Sequence, residues 1–399
     1  MFEEKFINGI LQKANTMFNG INLKNIEWGS TSIFIIFLHL IVLIGLPIYF
    51  FYRTPSLGLI LATIALFFAT GISITAGYHR LYSHRSYKAS KAFEAILLFF
   101  STMAMQSSVI YWAHNHRLHH RYVDKEGDPH NINEGFWHAH MGWLFKKQIP
   151  EDETIIPDLV SNNLVMFQHK YFKFLTFANN ILFFLLLGWL FSDYWGAFII
   201  GWWARVLFLS HSTWFVNSLA HTWGAKTYSK EQTAVNNAIV ALLTFGEGYH
   251  NYHHVFSSDY RNGIRWFQYD PTKWLIWILS KIRLVSDLKK IDIYTSKNRI
   301  VIEDRFIFLE ALKASTYEKK QVLQQKVIEI SDNISKKIAD VKKVIHEYKL
   351  SKENKIIEDI SILRRKIKEL NSGIRNDWKS WRQLEREVSA HAVLHHYHN

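Results

Sequence analysis

AFEAILLFFSTMAMQSSVIY, residues Ala92 to Tyr111, is the stretch on which the topology of this chain turns. It is long enough to span a bilayer, which takes about 20 apolar residues, yet it carries Ser101, Thr102, Gln106, Ser107 and Ser108. Histidines flank it on both sides: His79 and His84 before it, His116, His119 and His120 after it. A crossing helix would put those groups on opposite faces of the membrane. If they share one site the segment turns back, so the sequence predicts a re-entrant or interfacial helix whose polar side faces protein rather than lipid.

Working outward, Thr31 to Tyr52 and Leu57 to Tyr78 are two apolar runs joined by Arg53, Thr54 and Pro55. Phe174 to Phe191 and Trp195 to Leu219 form a second pair, divided by Ser192, Asp193 and Tyr194. Four spanning helices are expected, with Trp28, Tyr52, Tyr194 and Trp195 at interfacial positions. An even count puts both termini and every histidine group on one face, and the nearby Lys and Arg make that face cytosolic. The N-terminus mixes acids and lysines without a cleavable apolar core, so it is expected to stay as made. The expected fold is all-α and integral to the membrane: four transmembrane helices, the re-entrant helix, and a cytosolic helical cap holding a histidine di-metal site. Residues 1–30 form a cytosolic N-terminal segment, 31–300 the membrane domain and 301–399 a charged helical extension.

The net charge of +13 is spread beside apolar segments and through the tail, without any nucleic-acid-binding motif, which suits a membrane surface or an anionic substrate better than nucleic acid. With no cysteine among 399 residues, disulfides, thiolate-bound zinc, iron–sulfur clusters and thiol nucleophiles are excluded. In the tail, Leu323, Val327, Ile330 and Ile334 recur at spacings of four and three, continuing after a stutter through Ile338, Val341 and Ile345. Ile356, Ile360, Leu363, Ile367, Leu370 and Ile374 repeat the heptad pattern. Two coiled-coil-like helices are expected, broken near Ser351 to Lys355. They could fold back as a hairpin, pair with a second subunit as a homo-oligomer, run on as one rod, or lie singly on the membrane surface.

Four histidine elements carry the chemistry: HRLYSH with His79 and His84; HRLHH with His116, His119 and His120; NSLAH with Asn217 and His221; and HNYHH with His250, His253 and His254. Spacings of three and four share one helix face, so each HxxHH presents neighbouring imidazoles together. Nine imidazoles exceed one ion's coordination number but suit two, with Asn217 able to reach one directly or through water. Open positions on a redox metal make iron the preferred pair; zinc binds imidazole equally well but has no redox chemistry, and zinc in a crystal would be a substitute. His114, His130, His138, His140 and His211 are candidate supporting partners. His39, His391, His395, His396 and His398 are expected to stand apart. The single Glu247…His250 pair is too little for a carboxylate-bridged di-iron bundle, and HExxH, Walker and GxGxxG motifs are missing.

TAGYHRLYSHRSYKA, WAHNHRLHHRYVDKEGDPHN with GFWHAHMGW, STWFVNSLAHTWG and GEGYHNYHHVFSSDYRNG together resemble the membrane fatty acyl desaturases, specifically their acyl-CoA delta-9, stearoyl-CoA desaturase-like branch. The resemblance covers roughly residues 30 to 300. It implies nine histidine ligands in two groups, with a water held at Asn217 on one iron. It also implies a narrow kinked acyl tunnel, with Gln106, Trp112, Thr213 and Trp214 at the bend and Phe67 and Gly71 toward its closed end. A headgroup would meet Arg117, Arg121, Lys146 and Lys147. The implied reaction uses O2 and external electrons to place a cis double bond, at position nine in this branch, in a long-chain acyl-CoA or acyl-ACP. The electrons would come from a separate ferredoxin, rubredoxin or cytochrome b5 type donor, because no HPGG haem motif is present. A histidine-box hydroxylase of alkanes, sterols or carotenoids shares the metal logic, and a membrane scaffold with a structural metal site is a further alternative. Neither the acyl carrier nor the chain length is fixed by the sequence.

Overall fold

The computed structural model describes residues 26–354 and 356–391, so most of the expected cytosolic segment 1–30, together with His395, His396 and His398, lies outside the described residues. The regular structure of the described chain is almost all helix; its strands are β1 (Lys88–Ala89) and β2 (Val285–Ser286), one antiparallel pair. It divides into two compact units. The first holds the described residues up to Ala225 with Gln232–Lys290; the second holds Lys226–Glu231 and the described residues from Ile291 onward.

The main helices of the first unit are, in chain order, α1 (Ser30–Tyr52), α2 (Leu57–Ser73), α3 (Lys91–Thr102), α4 (Val109–Tyr122), α5 (Phe172–Phe191), α6 (Arg205–Ser218), α7 (Ala238–Leu243), α8 (His250–Val255) and α9 (Pro271–Lys281). Three are long and apolar enough to cross a membrane: α1, α5, and α2 with its continuation to Ser83. Twenty residues at 1.5 Å each reach about 30 Å, the thickness of the hydrocarbon core. Their outer faces carry large apolar side chains such as Leu43, Phe51, Leu61 and Trp189, all more than half exposed. The segment expected as a fourth span is helical from Tyr194 to Ser218, but it changes register through a π-helical stretch, Ala197–Ala204, before α6.

Ala92 to Tyr111 is not one helix. Its first half is α3, whose 12 residues cover only about 18 Å. An elbow at Met103–Ser108 follows, with Met105 and Ser107 in the left-handed region at φ 57° and 72°, and Ser108 then caps α4 by accepting from Tyr111 N–H. Breaking a helix among apolar neighbours frees backbone groups that need partners, and side chains supply them. Arg205 and Asn180 donate to the Met103 carbonyl, Thr176 to the Thr102 carbonyl, and the Gln168 side-chain oxygen accepts from Val109 N–H. Arg205 is 2% exposed and is held by Gly201 O and Asn180 Oδ1 as well. The segment therefore turns back, and α3 and α4 bring the first two histidine groups together.

The second unit is a three-helix bundle of α10 (Ile293–Ala314), α11 (Lys320–Glu353) and α12 (Ile357–His391). Lys337–Asp377 pairs α11 with α12, while Arg305–Asp332 and Ser335–Asn298 pair α10 with α11, so neighbours along the chain run antiparallel. Leu323, Val327, Ile334, Ile338, Val341 and Ile374 from the two heptad stripes are buried against Val301, Phe308 and Leu312 of α10. Of the arrangements open to the tail, the hairpin forms, and its stripes pack within one chain. The missing third partner was α10, whose sequence carries no clean heptad. His391 stacks on Tyr317 at 4.0 Å between ring centroids, inside this bundle.

Asp304 of α10 is buried beside Trp381, whose indole N–H donates to it at 3.3 Å. Burial pushes its carboxyl up to about 6 from 3.8, so ionisation disfavours the folded bundle. A raised folded pKa gives stability that is complete below pH about 4 and lost as pH rises through about 6, worth roughly 3 kcal/mol for two pKa units. Asp304→Asn should therefore slow amide exchange in α10 and α12 at pH 7 and flatten its pH dependence between 4 and 7, measured by hydrogen-exchange mass spectrometry on the full chain after correction for intrinsic rates.

Candidate metal centre

Each histidine element sits where a helix end delivers it to the same place. His79 lies in a π-helical continuation of α2, Ile74–Ser83, where the backbone bond from His84 N–H to the His79 carbonyl, 3.1 Å, closes an i to i+5 turn. In an α-helix residues five apart face well away from each other; the π turn stacks His84 over His79, a local geometry common at functional sites. His116, His119 and His120 lie on α4, His221 ends a 3₁₀ turn after α6, and His250, His253 and His254 form α8.

The nine imidazoles gather into two groups. His79, His84, His116, His120 and His253 form one, and His119, His221, His250 and His254 the other; within each, the ligand nitrogens all lie within 4.8 Å of one another. Facing Nε2 atoms are 3.0 Å apart for His79–His253, 2.8 Å for His84–His116 and 2.9 Å for His254–His250. Nitrogens bound at about 2.1 Å to one ion would be separated by about 3.0 Å when adjacent and about 4.2 Å when opposite, so both groups have the spacing of a coordination sphere. Burial, and then the neighbouring imidazoles, hold His84, His116, His120, His250, His253 and His254 far below the usual histidine pKa. They are neutral at physiological pH and offer lone pairs, the state a metal requires.

Partners on the far nitrogens fix which nitrogen faces inward. Glu247 Oε2 lies 2.9 Å from His79 Nδ1. His119 Nδ1–H donates to Asp128 Oδ1 at 2.8 Å. His221 Nδ1–H donates to Thr233 Oγ1 at 2.7 Å, and that hydroxyl donates to Asp124. Burial alone would raise the Asp128 carboxyl, but His119 and His130 outweigh it and hold it at about 2. Glu247 is likewise kept ionised against its burial by His79 and Arg80. Arg80, 1% exposed, bridges Glu247 and Asp270 and donates to the Tyr260 carbonyl. None of these acids was picked out by sequence reading; Glu247 was weighed only against His250, its helical-spacing neighbour. The available signal was Arg80 itself, a cation at the end of an apolar span that needs a buried counter-charge.

Two cavities meet at the histidines. The larger, about 610 Å³, is lined by Gln106, Trp112, His116, Thr213, Trp214 and Asn217. The smaller, about 40 Å³, shares Trp112, His116, Thr213 and Asn217 and runs on to Gly71 and Phe245. Gln106 Nε2 donates to Thr213 Oγ1 at 3.0 Å, tying the elbow to α6 where the two meet. The residues expected at the bend thus line one cavity, together with Asn217 and His116. Phe67 packs on Phe245 at 5.2 Å between centroids, and the Phe245 ring lies directly against Gly71.

The expected headgroup cations are not grouped in this way. Arg117 is a clamp: it donates to the Ser83, Tyr82 and Ile155 carbonyls and to Asp158, and is 13% exposed in its side chain. Lys146 pairs with Glu134, whereas Arg121 and Lys147 are exposed. The cation in the large cavity's wall is Lys173, in the first turn of α5. Of the supporting histidines, His130 flanks His119 at 5.4 Å between centroids, and His114 Nε2 accepts from Asp152 N–H. His138 Nε2 lies 3.7 Å from Glu134. His39, His211 and His140 bond to one another in series, away from the nine.

This geometry defines a class: an integral membrane protein whose paired histidine clusters are able to bind metal. The sequence model of the fatty acid desaturase family matches residues 55–280, and the chain belongs to that family. It is 42% identical over 261 residues to a probable acyl-CoA desaturase of Schizosaccharomyces pombe, covering 63% of this chain and 54% of that protein. It is 38% identical over 262 residues to acyl-CoA desaturase 1 of Saccharomyces cerevisiae, covering 63% and 51%. It is 35% identical over 270 residues to an sn-1 stearoyl-lipid 9-desaturase of Anabaena variabilis, covering 67% and 95%. The matched stretch spans about half the length of the two yeast relatives.

Proposed function

We propose that this chain desaturates long-chain fatty acyl groups, placing a cis double bond at position nine of an acyl thioester. The observation that carries the reading is the convergence of nine imidazoles, five and four, where two cavities meet. The five would hold one iron and the four the other, with Asn217 placing a water on one of them. When bound, the two irons supply oxygen activation and hydrogen removal from unactivated methylenes. The protein's own part is positional. The Gln106–Thr213 bridge and Trp112 bend the chain so that two adjacent carbons lie beside the histidines, and the buried walls keep water and other donors away. Electrons come from a separate donor of ferredoxin, rubredoxin or cytochrome b5 type. The helical run Tyr194–Ser218 serves as the fourth span, and the histidine face is cytosolic. The yeast names support a CoA carrier, and the Anabaena name makes a lipid-bound chain the comparison to run.

The test is gas chromatography and mass spectrometry of fatty acids from cells expressing the chain, beside the double variant His253→Ala, His254→Ala. New cis-monoenes should appear and fall at least about 100-fold in the variant, which removes one donor from each cluster. Hydroxylated products would assign the chain to the hydroxylases instead. Purified protein assayed with stearoyl-CoA and with a stearoyl glycerolipid distinguishes the carriers.

A further inference from the structure

Helix α9 is two-faced in an unusual sense. Thr272, Lys273 and Ile276 are buried, while the opposite face presents Trp274 at 39%, Trp277 at 51% and Ile278 at 53% exposure, continued by Ile282 at 62%. Just ahead of it, Trp266 and Phe267 are 84% and 59% exposed. This loop is held rigidly: Lys273 Nζ donates to the carbonyls of Gly263, Arg265 and Gln268 at 2.6, 2.6 and 2.9 Å, and the Trp274 indole donates to the Trp266 carbonyl at 3.3 Å. A contiguous apolar surface built on a fixed scaffold marks something it must touch.

Both ends of α9 are fastened to the membrane unit. Thr272 Oγ1 lies 2.5 Å from Thr75 Oγ1, and Thr75 is about 27 Å along the second span from Leu57, the far edge of a core about 30 Å thick. At the other end β2 pairs with β1, and Ser90 N–H donates to the Leu284 carbonyl where α3 begins. Cations border the aromatics: Lys281 Nζ lies 5.0 Å from the Trp277 ring, Arg265 5.9 Å from that of Phe267, and Arg283 is exposed next to Ile282. Aromatic rings with long basic side chains beside them suit the boundary between acyl chains and anionic headgroups.

We propose that α9 and the Arg265–Phe267 loop lie in the headgroup layer of the bilayer as an interfacial anchor that takes anionic lipid. The anchor meets the metal centre through Asp270, the cap of α9, which holds Arg80 and through it Glu247 beside His79. Lipid contact thereby bears on the seating of the Glu247 carboxylate beside His79, in the first histidine element. The proposal rests on the membrane spans and not on the reaction.

Because the chain has no cysteine, Trp277→Cys and Trp266→Cys each carry a single spin label. Both are placed in phosphatidylcholine nanodiscs with about a third phosphatidylglycerol. Leu182→Cys on a lipid-facing turn of α5 and Glu126→Cys on an exposed loop are the lipid and water references. Both labels should collide with oxygen several-fold more than with a nickel chelate, at a depth shallower than Leu182, and should move outward when phosphatidylglycerol is omitted. Ile278→Cys repeats the measurement should either Trp variant fail to fold. Accessibility matching Glu126 would overturn the anchor, as would labels immobile and shielded from both reagents, which would mean that protein covers the face. Equal depth in both lipid mixtures would overturn the anionic preference.

Discussion

On the di-iron reading proposed above, Glu247→Gln is expected to empty the five-histidine cluster while the four-histidine cluster stays loaded. Glu247 touches His79 and Arg80 but no member of the second cluster in its described ion pairs and hydrogen bonds. Gln keeps the shape and loses the charge that fixes the His79 ring. Loss of such a carboxylate partner weakens metal binding about 10- to 100-fold. It also leaves Arg80, 1% exposed, with Asp270 as its remaining acid, and unbalancing a buried charge network typically costs about 3–5 kcal/mol. Elemental analysis of purified protein should therefore read about one iron per chain where the parent reads about two, with desaturation at least about 100-fold lower. Asp128→Asn should do the converse, through His119, to the other cluster. If both variants lost both metals together, the clusters would be one cooperative unit and the separate roles assigned to Glu247 and Asp128 would fail.

Those two acids also mark where sequence reading stops. Three of the four expected spans, the turning back of Ala92 to Tyr111 and the gathering of the nine histidines were legible because apolar length and HxxHH spacing are local signals. His79 and His84 were harder: a spacing of five makes no shared face on an α-helix, and only the π-helical turn brings them together. Glu247 and Asp128 carry no local signal toward their partners, since His79 and Glu247 are 168 residues apart (247 − 79). Arg117 misled for the opposite reason. A cation beside a histidine box reads as a phosphate site, yet the freed carbonyls at Tyr82 and Ser83, where the π-helix ends, need a donor and take it. In the tail, the heptads showed two helices and not the third, because α10 contributes Val301, Phe308 and Leu312 at spacings of seven and four without a continuous stripe.

The length of the accepted acyl chain should be set by a pair of residues, and the second, Phe245, gave no sequence signal. Gly71 faces Phe245 so closely that a single added methyl would fall inside the van der Waals envelope of its ring. Phe245 cannot easily yield: it is 4% exposed, sits between Phe67 and Phe68 at 5.2 and 5.5 Å, and holds a left-handed backbone at φ 55° that bulky residues seldom adopt. A side chain at 71 therefore displaces the ring toward the cavity or fills the end itself, and either shortens the space beyond the bend. Each methylene excluded is worth about 0.8 kcal/mol, so two carbons correspond to about a 15-fold change in relative use. Gly71→Leu should shift the ratio of 18-carbon to 16-carbon monoenes down by about that factor, and Phe245→Leu should shift it up. Because the two residues act through one contact, their effects should be non-additive: Gly71→Ala should be harmful with Phe245 present and nearly silent with Phe245→Leu. An unchanged product profile in Gly71→Leu, at normal yield and metal content, would place the closed end elsewhere.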